Sequence, residues 1–147
     1  MISRVKIKIQ SIIDNLDATG LSDGESEKTE SLFDGVYRYT GDGAHITYKE
    51  NTDGGSCDSE ILVFSDGVTV RRRGAIISEL YFKEAETHAS IYQIPPYSFD
   101  AEVTAKRVTV ELEPVGGRIN LVYNMKIGGA EKSAIMRIWI SKATNQA

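Results

Sequence analysis

With 147 residues, 41% of them hydrophobic and 26% charged, the chain has the material for one continuous core and not for two. No apolar run approaches the roughly 20 residues of a membrane helix, and a single cysteine, Cys57, excludes an internal disulfide and a cysteine-based zinc site. The net charge of −4 argues against a dedicated nucleic-acid binder, whose affinity rests largely on neutralising phosphates. That charge is uneven: residues 14–60 carry a balance of −9 and the remainder +5, which predicts one acidic and one mildly basic part of the surface. Cys57 stands beside Asp58, a setting that raises a thiol pKa and reads as an unreactive thiol.

In chain order, the first signal is Arg4-Val5-Lys6-Ile7-Lys8-Ile9. Its strict alternation predicts a strand with one buried face and excludes the hydrophobic core of a signal peptide. A cytoplasmic protein with no membrane association is the expectation. Residues 15–31 are polar without period, and read as a long mobile loop between the first two strands. A strand from Thr29 to Tyr39 follows, interrupted at Asp34-Gly35 by what reads as a bulge. Gly41-Asp42-Gly43 turns it into a segment in which Ala44, Ile46 and Tyr48 alternate with polar residues. Asp66-Gly67 is a two-residue hairpin signal favouring a type I′ turn, between Ile61–Phe64 and Val68–Arg72. Further reversals fall at Gly74-Ala75, Pro95-Pro96, 114–117 and Gly128-Gly129. They separate alternating runs through Val108, Val110 and Leu112, and through Ile119, Leu121, Tyr123 and Met125.

The last run, Ser133 to Ser141, is apolar on both faces, with Ile135 and Trp139 opposite Ala134, Met136, Ile138 and Ile140. That predicts a cover over its outside: a loop, the N-terminal segment or a second subunit. No window of ten or more residues has a 3.6 period, so the expectation is one all-β domain over residues 1–147. Consecutive hairpins favour an antiparallel up-and-down barrel of about eight to ten strands, which closes to remove its edges.

Several pieces recur in a known order: Val5-Lys6-Ile7-Lys8-Ile9, Gly35-Val36-Tyr37, Ile46-Thr47-Tyr48, Arg72-x-Gly74, Tyr92-x-Ile94-Pro95, Gly117-Arg118-Ile119 and Tyr123-x-Met125. In these the chain resembles the YwiB-like small bacterial proteins, a family of unknown function. The resemblance implies a lipocalin-like, calycin-type barrel and supplies no activity. Pro96 after Pro95, and a longer stretch from Asn15 to Glu27, depart from the pattern.

The triple arginine Arg71-Arg72-Arg73 is the most unusual local feature. Counting from Val68 and Val70, Arg72 takes the inward phase, where a guanidinium must be paired or hydrogen-bonded. One reading is an arginine that reads an anion in a ligand cavity. The other is a structural arginine satisfied by carbonyls at a barrel end, or a charge that protects a strand edge. Tyr48, Tyr92 and Tyr123 are predicted on inner faces, as pocket walls or as plain core. His88 shares the phase of Tyr92, and Arg118 belongs to the family-like pattern, completing the candidate ligand-binding residues. No catalytic constellation, cofactor motif or metal-ligand spacing emerges.

Three functions stay open. A binding barrel would take a small anionic or amphipathic molecule, in a cavity lined by Ile7, Tyr48, Val70, Arg72, Tyr92, Leu121 and Tyr123. An interaction module would dimerise or dock through Trp139 with a solid barrel and no ligand. An RNA-contacting surface over Arg71, Arg73, Lys106 and Arg107 is disfavoured, because the aromatic residues that stack bases are missing from that face.

Overall fold

Each alternating run becomes a strand because its apolar row has one interior to face. The structure, a computed structural model, describes residues 2–17, 22–64 and 67–143. Ten strands follow one another: β1 (Ile2–Leu16), β2 (Ser22–Tyr39), β3 (Gly43–Thr52), β4 (Gly55–Phe64), β5 (Gly67–Gly74), β6 (Ile77–Phe82), β7 (Thr87–Ile94), β8 (Tyr97–Glu113), β9 (Gly116–Ile127) and β10 (Ala130–Lys142). Every strand pairs antiparallel with its neighbours in sequence, and β1 also pairs with β10 from Val5–Lys142 to Asn15–Lys132. The result is a closed up-and-down barrel, as the hairpin spacing predicted.

The inner rows hold the core. Val5, Ile7, Ile46, Ile61, Phe82, Ile119, Leu121 and Ile138 are all essentially inaccessible to solvent. Tyr37 on β2 crosses the interior and donates its hydroxyl to the Glu113 carbonyl of β8 at 2.7 Å. A single neutral hydrogen bond is worth about 1 kcal/mol. Tyr37→Phe is therefore expected to lower the unfolding free energy by about 1 kcal/mol, seen as a lower urea midpoint with an unchanged m-value; an unaltered midpoint would show that the bridge contributes nothing.

Two expectations are overturned in the first hairpin. The loop predicted over residues 15–31 is mostly strand: β1 runs to Leu16, β2 starts at Ser22, and the ladder pairs Asp14 with Ser26 and Leu16 with Ser22. The signal was absent because residues 26–32 of β2 are exposed on both faces, so neither face needs an apolar row. The bulge expected at Asp34-Gly35 is absent, since the register runs unbroken through Val5–Gly35 and Lys6–Asp34. Gly35 is there for space. A Cβ at that position would lie 2.5 Å from Ile7 Cδ1 and from the Thr47 carbonyl oxygen. The register shifts fall instead at Asp14/Leu16 and at Ala105/Arg107. At the second of these the β6–β7 connection docks, with Ala85 N–H donating to the Ala105 carbonyl at 2.9 Å.

The Asp66-Gly67 turn lies partly outside the described residues; the ladder on either side ends at Phe64 opposite Gly67. On β10, Ile135 and Trp139 are half-buried, and the Lys8 ammonium of β1 lies 5.1 Å from the Trp139 ring centre. The Lys8 side chain thus covers part of the outer apolar row.

One departure from regularity shapes the site. β2 pairs with β1 along nearly its whole length, but with β3 only from Gly35–Tyr48 to Tyr39–Ala44. Beyond Gly35, the two strands diverge toward the end of the barrel that carries the β3–β4 and β5–β6 turns. That end is held open.

Candidate functional site

Alternation along β5 buries Val68 and Val70 and puts Arg72 in the same inward row. Its cross-strand neighbours are Ser59 on β4 and Ser78 on β6, both buried, with Tyr48 of β3 beyond the first and Tyr92 of β7 beyond the second. The row therefore reads Tyr48–Ser59–Arg72–Ser78–Tyr92. Two small side chains flank the guanidinium and leave it room inside the wall.

Arg72 is 29% exposed and meets Glu50, 17% exposed, through an Nε–Oε1 contact of 3.5 Å. Glu50 continues the inward row of Ala44, Ile46 and Tyr48, two residues past the last of them. Burial pushes the Tyr48 phenol up to about 12; Glu50 adds to the rise, while Arg72 and then Ser59 oppose it. Tyr123 is likewise raised to about 12 by burial, with Arg72 pulling down and Tyr92 pushing up. Ser59 touches Tyr48 in a geometry short of a full hydrogen bond. Both phenols are neutral at physiological pH and remain available as donors.

Beside this row, where β2 and β3 part, lies a cavity of about 230 Å³. Arg72, Glu50 and Tyr48 form its polar wall, Phe33, Ile61 and Ile138 its apolar one, and Thr29 and Ser31 its outer rim. At roughly 30 Å³ per water, the space is that of about eight waters. A ten-stranded barrel is wider than the eight-stranded ones whose side chains just fill the interior, so a void inside it is expected. The opposite mouth has a wider, more open depression of about 410 Å³. Asp42 and Glu84 line it without any cation, and Glu84 is engaged by the Val108 N–H at 3.1 Å. Of these two mouths, the smaller cavity is the one whose wall pairs a cation with an anion.

The sequence candidates divide accordingly. Arg72 and Tyr48 line the cavity, and Tyr123 is buried in the core, edge-on to Phe82 at 4.8 Å. Tyr92 is half-buried and tilts against Phe99 at 6.5 Å. Of the predicted apolar lining only Val70 reaches the cavity; Ile7 and Leu121 are fully buried core. His88 stays out of it. The β6–β7 ladder stops at Glu79–Ile91, and His88 sits in the gap beyond, on Glu86 at 2.8 Å and edge-on to Tyr81 at 4.8 Å. That contact, together with Lys83, lowers the Glu86 pKa. Arg118 is on the outer surface, bound to Glu111 through two nitrogens at 3.2 Å. Arg71 also points out, between Glu60 at 3.4 Å and Glu79 at 3.2 Å, so its charge is already engaged.

Glu50 was missed although its phase was readable; it is the residue that turns a lone arginine into a charge pair. Thr29 and Ser31 carried no signal, because they sit in the stretch that lacks a period.

The profile of the family described as Domain of unknown function (DUF1934) matches residues 7–138. The chain belongs to this family. Among curated proteins it is similar to the Uncharacterized beta-barrel protein YwiB of Bacillus subtilis (strain 168), with 22% identity over 128 residues, 87% of this chain and 85% of that protein. The crystal structure of ywiB protein from Bacillus subtilis aligns with a TM-score of 0.84 at 22% identity, covering 97% of this chain and 94% of the other. The YwiB-like resemblance and the barrel are thereby shown. Among the described residues, no helix is long and apolar enough to cross a membrane, and no three His, Cys, Asp or Glu side chains gather as a metal site.

Proposed function

We propose that this DUF1934 barrel binds a small amphipathic molecule in the mouth cavity, its polar end at Arg72 and Glu50 and its apolar body against Phe33, Ile61 and Ile138. The supporting observation is the charge pair itself: it is half-buried, joined by one contact, and borders an apolar cavity with space left over. A pair serving structure alone is expected to be bidentate and packed around.

A thermal-shift panel of short fatty acids, nucleotides and sugar phosphates tests the reading, together with native mass spectrometry of the protein as purified. A ligand at one hundred times its Kd adds about 2.7 kcal/mol, roughly 8 °C for a domain of this size. Ser31→Phe, which plugs the rim, is expected to abolish the shift without lowering basal stability by more than about 1 kcal/mol. No stabiliser in the panel, no co-purified mass and no binding by the small zwitterions described below would together refute the proposal.

The pair also makes a stability prediction. Glu50→Leu strands the guanidinium and is expected to destabilise by about 1–3 kcal/mol. Adding Arg72→Met is expected to recover most of that loss, since replacing both partners by apolar groups is near neutral. Urea unfolding of the wild type and the two variants measures it, and a double variant no better than the single one contradicts it.

A second reading, a homodimer module, is favoured by one observation. The β7–β8 hairpin extends past its neighbours, which stop pairing at Ile77–Gln93 and at Ile127–Ala101. Ile91, Ile94, Tyr97 and Phe99 are exposed there. Light scattering across a concentration series decides: dimers that dissociate on Ile94→Ser with Tyr97→Ser support the reading, and a monomer at the highest concentration removes it.

A further inference from the structure

Resting on the cavity reading above, we propose that the ligand is a small zwitterion with an apolar side chain, its carboxylate on Arg72 and its ammonium on Glu50. The cavity presents a cation and an anion side by side, 3.5 Å apart and in contact only through Arg72 Nε and Glu50 Oε1. Among the described residues, the terminal guanidinium nitrogens have no ion pair or hydrogen bond of their own, and Glu50 has no second cation. Each charge keeps bonding capacity that a ligand can use.

The pairing decides the ligand's charge. A simple anion on Arg72 is also repelled by the Glu50 carboxylate beside it, which offsets part of the attraction. A simple cation on Glu50 meets Arg72 in the same way. A neutral ligand displaces water from both charges and compensates neither. A molecule that carries an ammonium and a carboxylate on one carbon satisfies the two protein groups together and stays neutral overall. Tyr48 completes the polar wall. Its phenol, held neutral by burial, can donate to the bound carboxylate.

Size and walls decide the rest. A volume of about 230 Å³ corresponds to roughly eight non-hydrogen atoms on the scale of liquid water. That excludes an enclosed nucleotide, sugar nucleotide or long acyl chain. Ile61, Val70, Ile138 and Met136 line the same space and suit a branched or thioether side chain. The opening between the diverging β2 and β3 strands, rimmed by the hydroxyls of Thr29 and Ser31, gives access from solvent.

The test measures calorimetric and thermal-shift affinities of the wild-type chain for L-leucine, L-isoleucine, L-methionine and L-phenylalanine. They are set against 4-methylpentanoate, which has only the negative charge, and 3-methylbutylamine, which has only the positive one. At least one amino acid is expected to bind saturably, and the two singly charged analogues at least tenfold more weakly. Glu50→Gln and Arg72→Gln are each expected to weaken the amino acid by tenfold or more; the analogue series on the wild type carries the test should either variant fail to fold. Equal binding of 4-methylpentanoate and leucine, with no effect of Glu50→Gln, overturns the zwitterion and leaves the amphipathic cavity standing. Binding by a member of the earlier panel with none by the four amino acids does the same. Silence of every compound, in both panels, overturns both.

Discussion

Gly74→Ala is expected to lower stability by about 2–5 kcal/mol, the sum of a backbone term and a packing term. Gly74 closes β5 two residues after Arg72, with φ at +147°, where an L side chain is strained. A Cβ there would also fall 2.2 Å from the Ser56 carbonyl oxygen, a backbone atom that already accepts from the Ala75 N–H at 3.1 Å. The strain is worth roughly 1–2 kcal/mol and the forced shift of packed backbone roughly 1–3. At about 3 °C per kcal/mol for a chain of this length, Tm is expected to fall by on the order of 10 °C. Gly129→Ala is the control. Its φ is +87°, but a Cβ there meets nothing within 4 Å, so only the backbone term remains. Similar losses in the two variants would mean that the β4–β5 contact is not tight. Because the Gly74 clash pushes β4 away from β5, the variant is also expected to loosen the Arg72–Glu50 geometry and any affinity that depends on it.

The second large effect is alkaline. Burial, with Tyr39 as a lesser cause, raises Tyr37 to about 12, and burial also takes Tyr48 and Tyr123 to about 12. In the unfolded chain these phenols titrate near 10. Between those values the unfolded chain binds fewer protons than the folded one, so stability falls as pH rises. The contribution is complete below about pH 10 and lost by the time pH passes about 12. Tyr48 and Tyr123 are each worth on the order of 2 kcal/mol across that window, and Tyr37 adds in the same direction. Urea midpoints at pH 8, 10 and 12 should drop steeply between the last two, and Tyr123→Phe should flatten the drop. A folded protein whose tyrosines all form phenolate near pH 10 would contradict the burial of the three rings.

Arg72 and Glu50 show where reading the chain succeeds and stops. The inward phase of Arg72 follows from Val68 and Val70 and was legible. Tyr48 and Tyr123 were placed on the inner face by the same counting, and both are buried there. Glu50 lay in the same phase as Tyr48, yet nothing local joins β3 to β5. Their meeting runs diagonally across β4, through a register that Ser59 and Cys57 set with both neighbours. His88 had the inward phase as well, but β6 and β7 part before reaching it. Phase gives direction, not distance.

The first hairpin shows the other limit. Residues 26–32 form strand without alternation because β1 satisfies their backbone while both of their faces meet solvent. Hydrophobic period reports burial, and a strand that buries nothing emits no signal. Gly35 reads as a bulge from the sequence, whereas it is the point that brings β2 close to Ile7 and Thr47, and that crowding comes from other strands.

What the sequence determined by itself was the alternation, the turns between the runs and the side of each strand that faces in, because a period of two is a local property of extended backbone. Strand class, up-and-down order and the inward arginine all follow from it. The tertiary structure decided how β1 closes on β10, how far β2 stays with β3, and that Glu50 meets Arg72 beside an open cavity. Those depend on shear and register around the closed ring, which sum over all the strands and are written in none of them singly.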